Sequence, residues 1–160
     1  MRVLLDVMCG GLVAYLRMCN HDTVYAGERG LESDDALLAL AREEDRTVVT
    51  RDVDLAARAV ESPGSILLEA RDVEAQLEKL AAAGVELELA DEPQFCGRCN
   101  GALEVVTRTA TTPEYAPDPD EIDVWRCHDC DQHFWRGSHW VRVAETLSRV
   151  TASGTDDSLT

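Results

Sequence analysis

Lysine is almost absent from this 160-residue chain: Lys79 stands alone, and 15 Lys+Arg face 31 Asp+Glu for a formal net charge of −16. So little positive charge argues against a chain that gathers nucleic acid by loose, non-specific attraction at low salt. It fits a salt-rich cytoplasm, where the Debye length falls to about 3 Å at 1 M salt and self-repulsion is screened. The composition therefore reads as a halophilic signature. Long apolar runs are missing as well. None approaches the ~18 residues of a membrane helix. The opening "MRVLLDV" has neither the apolar stretch nor the small-residue cleavage site of a signal peptide. The expected setting is cytoplasmic, with no membrane partner.

Cysteine, in contrast, is plentiful. Of the six, four form two C-x-x-C pairs, "CGRC" (Cys96, Cys99) and "CHDC" (Cys127, Cys130), with 27 residues between them. Each pair can turn tightly and present two thiolates, and four thiolates complete a closed tetrahedral zinc site. This is a metal pattern, not a disulfide framework, and it fits a reducing compartment. Cys9 and Cys19 lie in apolar sequence and read as core thiols.

Residues 1–90 alternate short apolar runs with helix-period segments. "RVLLDV", "TVY", "RTVVT" and "SILL" read as strands. "GGLVAYLRMCN" places Leu12, Val13, Leu16 and Cys19 near one helical face, with Asn20 as a left-handed stop. Ser33 is positioned to cap a helix whose apolar face is Leu37, Leu38, Leu40 and Ala41. "DLAARAV" is a short helix broken by "SPG", and "VEAQLEKLAAAG" is a helix closed by Gly84. "VELELA" suits an edge strand or an extension into the linker. The alternation predicts an α/β fold with a mostly parallel sheet flanked by helices. Residues 91–150 are a separate expectation: a small zinc ribbon with a closing helix at "VRVAETLSRV" and an exposed Pro/Asp-rich loop over 111–121. Residues 151–160 read as a polar, frayed tail.

Parallel sheets place chemistry beyond the carboxyl ends of their strands. Asp6, Asp34, Asp52 and Asp54 all fall at strand ends or helix starts. Such a cluster suits Mg²⁺ or Mn²⁺, which prefer oxygen ligands and keep several waters, and which activate water against a phosphodiester. Each residue also has a plainer reading. Asp34 and Asp35 would serve a helix start, and Asp54 would cap "LAARA". Arg51 and Arg17 are either phosphate contacts or charge balance. The aromatics of "FWRGSHW" either pack against the ribbon or form a platform for single-stranded bases.

Taken together, "LLDVMCGGLVAYLRMCNHDT", "SDDALLALAREEDRTVVTRDVDLA", "FCGRCNGAL", "WRCHDC" and "FWRGSHW" resemble the Mut-seven C-terminal RNase domain family, over residues 2 to 142. The resemblance implies a PIN-like fold with a C-terminal zinc ribbon and a metal-dependent ribonuclease acting on RNA. It puts Asp6 at the first-strand acid, Asp34 at the acid opening the second helix, and Asp52 in a Thr-Arg-Asp motif with Asp54 following. The four cysteines match its structural zinc ligands. A homo-oligomer is compatible with this reading. The competing reading is a non-catalytic RNA- or ribosome-associated binding module. A phosphoacceptor receiver domain fits poorly: Asp6 lacks an acidic neighbour and Lys79 lies mid-helix.

Overall fold

The computed structural model describes residues 1–159, with side chains through Ala152. The expectation of a frayed tail therefore falls mostly outside the described side chains. Four strands, β1 (Arg2–Leu5), β2 (Asp22–Tyr25), β3 (Thr47–Thr50) and β4 (Ser65–Leu67), form a wholly parallel sheet in the order β2-β1-β3-β4. A 3-10 segment, Val7–Leu12, leads into α1 (Val13–Met18). α2 (Ala26–Arg29) and α3 (Asp34–Glu43) connect β2 to β3, α4 (Val53–Ala59) connects β3 to β4, and α5 (Val73–Ala82) follows β4.

Strand alternation sends Val3, Leu5 and Val49 to one face and Leu4 and Val48 to the other. The first face is covered by Leu12, Leu16, Leu77 and Leu80, and the second by Leu37, Leu38, Ala41, Leu55 and Ala59. Each fully buried leucine contributes about 1.5–3 kcal/mol relative to exposure, so this unit has an ordinary hydrophobic core. Local signals end its helices as the sequence suggests. Ser33 accepts from the Ala36 N–H, and Asn20 and Gly84 take positive φ of 63° and 95°. "VELELA" makes no strand. Val85 and Leu87 instead drop into the core from a segment outside any strand.

The adjacent glycines of "MCGG" have a packing reason. A Cβ on Gly10 would lie 2.8 Å from the Tyr25 hydroxyl oxygen, and one on Gly11 would lie 2.8 Å from Val73. The chain after β1 thus runs close under both β2 and α5.

The second unit is a three-stranded antiparallel sheet of β5 (Leu103–Val105), β6 (Val124–Cys127) and β7 (His133–Trp135). Loop 111–121 is mostly exposed, as expected, but Tyr115 pins it to the ribbon: its hydroxyl accepts from the His133 N–H at 3.1 Å. The closing helix, α6 (Ser138–Leu159), differs from expectation in its allegiance. Val143, Leu147 and Val150 join the first core beside α5, so by packing it belongs with the parallel unit. Among the described residues no helix is long and apolar enough to cross a membrane.

Candidate functional site

With the order β2-β1-β3-β4, the chain leaves β1 toward one edge and returns across it to β3. In open parallel sheets the place for a ligand crevice is where such connections diverge, here beyond the carboxyl ends of β1 and β3. Asp6 follows β1 and Asp52 follows β3. The Asp6 N–H donates to Val49 O at 3.0 Å, which fixes it to the end of the neighbouring strand. Asp6 is buried, and both its oxygens are engaged: Oδ1 accepts from the Val7 N–H at 2.8 Å and Oδ2 from the Thr50 hydroxyl at 2.7 Å. The same Thr50 oxygen accepts from the Asp52 N–H at 3.0 Å. One hydroxyl therefore joins the two acidic positions. Sequence reading missed Thr50; its signal was a hydroxyl residue closing a strand two positions before Asp52.

Asp52 also caps α4, its Oδ1 accepting from the N–H groups of Asp54 and Leu55 at 2.9 and 3.2 Å. Its other oxygen accepts no hydrogen bond from the described residues. Asp54 is exposed and makes no side-chain hydrogen bond among the described residues, so the capping role sits on Asp52 instead. Asp34 opens α3, exposed and likewise without a hydrogen bond to its side chain among the described residues. Its neighbour Asp35 is committed elsewhere, paired with Arg58 of α4 at 2.5 Å. Among the described residues, the only group of three or more potential metal-binding side chains with ligand atoms all within 4.8 Å is the four-cysteine cluster. Asp6, Asp34 and Asp52 share one end of the sheet but do not close to that spacing.

The two arginines part company. Arg17 is 2% exposed. Its Nε donates to Thr23 O, Nη1 to Gly97 O and Nη2 to Glu28 Oε1, at 3.1, 3.1 and 2.9 Å. A guanidinium with all three nitrogens bonded inside the protein is a bolt between α1, β2, α2 and the first cysteine turn. The expectation of a phosphate contact at Arg17 is corrected on that ground. Arg51, half-buried after β3, makes no such set of hydrogen bonds among the described residues. Its Nε is buried without a hydrogen-bond partner among the described residues, and its charge reaches the Cys9 thiol, as does that of Asp6. Burial pushes Cys9 up to about 11, Asp6 adds to the shift, and Arg51 opposes it. With Cys19 raised to about 12, chiefly by burial, both are inert core thiols.

In the ribbon, Cys96 and Cys130 lie 3.6 Å apart and Cys99 and Cys127 3.5 Å apart, sulfur to sulfur. A tetrahedron with ~2.3 Å metal–sulfur bonds has edges of about 3.8 Å. The Arg98 and Asp129 N–H groups each donate to sulfur at 3.3 Å. Distances, donor type and amide placement all fit a metal ion such as zinc. Asn100, in the turn after Cys99, reaches back: its Oδ1 accepts from the Thr23 N–H at 3.0 Å and its Nδ2 donates to Asp22 at 2.7 Å. Together with Arg17 it satisfies the outward backbone of β2, an edge strand that would otherwise present free pairing groups.

No curated protein and no solved structure matches the chain. A family model described as the Mut7-C RNAse domain matches residues 1–147, the four cysteines, the crevice acids and both sheets included. The chain belongs to the Mut7-C RNAse domain family.

Proposed function

We propose that the chain is a cytoplasmic, divalent-metal-dependent ribonuclease that hydrolyses RNA phosphodiesters in the crevice beyond β1 and β3. The observation that carries this is the Asp6–Thr50–Asp52 link, which holds two acids from separate strands at the topological switch. Asp34 and Asp54 supply further exposed carboxylates at helix starts. The donors are all hard oxygens, and Mg²⁺ or Mn²⁺ is held by one or two carboxylates with several waters retained. Carboxylates wider than direct sharing distance suit that water-filled mode. Asp6, Asp34 and Asp52 would hold the ion, which when bound acidifies a water and neutralises charge on the phosphate. The chain's own residues do the positioning. Thr50 and the Val7 N–H fix the Asp6 carboxyl plane, the α4 amides fix Asp52, and Asp54 borders the site. Arg51, a half-buried guanidinium directly before Asp52, is the group suited to a phosphate oxygen. The four cysteines would hold a structural zinc that shapes the ribbon.

The competing reading, a non-catalytic RNA- or ribosome-associated module, draws on the same hydrogen bonds: Asp6 and Asp52 each cap a helix start. Asp6→Asn separates the two. It keeps the shape and most capping but removes the charge. Cleavage of a single-stranded RNA should require Mg²⁺ or Mn²⁺ and fall at least ~100-fold in Asp6→Asn. Equal, metal-independent cleavage by both proteins would sink the nuclease reading.

A further inference from the structure

Beside the ribbon lies a cavity of about 470 Å³, within the ~300–1,000 Å³ range of small-molecule sites. Phe95, Trp125, Phe134, Trp135 and Trp140 all line it. The whole chain has two Phe and three Trp. Every phenylalanine and every tryptophan of the protein therefore faces one hollow. Core packing of the parallel sheet does not demand this, because the buried residues of both its faces are aliphatic side chains and two cysteines, and none of the five rings is among them. Only Trp125 among them is fully buried; the other four keep part of their surface open.

The charge around the cavity is as selective as its rings. Its lining contains Arg98, Arg136, His133 and His139 and no carboxylate. In a chain with twice as many acids as bases, that is a local inversion of sign. Arg136 lies over Trp125 and Trp140, 5.5 and 5.9 Å from the ring centroids, and also donates to Asp91 O. A guanidinium held against indoles is an established partner for a π-face. Arg17, the basic residue of the first helix, is withdrawn into the protein, so that helix offers no grip on a polyanion.

We infer that this cavity takes unpaired nucleobases of single-stranded RNA, with the rings stacking the bases and Arg98 and Arg136 facing the backbone. The inference rests on the ribonuclease reading for the identity of the polymer. It goes beyond that reading in assigning substrate recognition to the ribbon side of the molecule instead of the acidic crevice. Stacking tolerates high salt better than phosphate contacts do, since only the latter release counterions. A ring-lined cavity thus suits a protein whose overall charge repels RNA.

Because all three tryptophans line the cavity, intrinsic tryptophan emission reports on it directly. The experiment titrates zinc-loaded Asp6→Asn protein, in which the RNA is to stay intact, with a short oligouridylate and with a blunt RNA duplex, at one fixed salt concentration. The single strand should quench the emission and the duplex should not. Adding Trp140→Ala should weaken single-strand binding about ten- to a hundredfold, and Trp140→Phe should restore most of it, which separates stacking from misfolding. No quenching, equal quenching by the duplex, or unchanged affinity in Trp140→Ala would overturn the inference and leave the cavity to a peptide or to packing. Cleavage by the parent protein is scored separately. A parent that fails to cleave while the Trp140 effect persists refutes the nuclease reading and leaves the cavity assignment standing. A parent that cleaves, with Trp140→Ala binding unchanged, does the reverse.

Discussion

In the ribbon, four sulfurs from two turns lie within 4.8 Å of one another, whereas the acids at the end of the parallel sheet form no such group among the described residues. The thiols are neutral when protonated and can crowd before any metal arrives. Burial raises the Cys96 thiol, the largest influence on it, so metal binding there must release protons. Carboxylates cannot crowd in the same way. Asp6 and Asp52 are each held by their own helix start, and Thr50 joins the backbone of Asp52 to the side chain of Asp6 without forcing their charges together. Four thiols that can hold a metal ion and the acids at the sheet end therefore look different in the same chain. The first group is closed by local turns, and the second is spread over strand ends with free oxygens.

The sharpest way to break this contrast is to remove a thiol. Cys127→Ser should abolish stoichiometric zinc binding, measured by metal analysis, and shift the tryptophan emission to the red. Structural zinc supplies ~10–16 kcal/mol of apparent binding energy, and the ribbon has little core of its own. The far-UV signal of the parallel unit should persist, since its core is aliphatic. Collapse of both units together would show that the two are not energetically distinct.

Next in size is the joint between them. Arg17→Met should destabilise the protein by about 3 kcal/mol, because Thr23 O and Gly97 O lose their donor and Glu28 its partner. Chemical denaturation checks this. A loss under ~0.5 kcal/mol would mean Arg17 is not the bolt described. Thr50→Val keeps the shape of the side chain but removes the hydroxyl shared by the two acids. A loss of about 1–3 kcal/mol is expected, with a fall in RNA cleavage larger than the change in RNA binding. A matching fall in binding would argue against a positioning role.

The smallest effect concerns pH. His21 is buried with Nδ1 unpartnered, while its Nε2 lies 2.6 Å from Glu86 O. Burial is the main cause of its lowered pKa. The unfolded chain therefore takes up the proton first, and stability should decline as pH falls below about 6.5, the unperturbed value. His21→Gln should flatten that part of a stability–pH profile. An unchanged slope would place the titration elsewhere.

Much of this was readable from residues a few positions apart. The strands of the parallel sheet, the Ser33 cap, the Asn20 and Gly84 stops and the paired cysteine turns all depend on local geometry, and the sequence alone determines them. So does the presence of acids at strand ends. Tertiary structure decided what those residues meet. It buried Arg17 against Gly97, eighty positions on, and it carried Asn100 back to the edge strand at Thr23. It recruited α6 to the first core because Val143, Leu147 and Val150 found an open aliphatic face there. It also gathered every Phe and Trp around one cavity, although Phe95 and Trp140 are far apart in the chain. The physical reason is the same throughout. Caps and turns are satisfied by neighbours along the chain, but buried guanidinium groups, edge strands and half-open rings can be satisfied only by whatever the packed fold brings beside them.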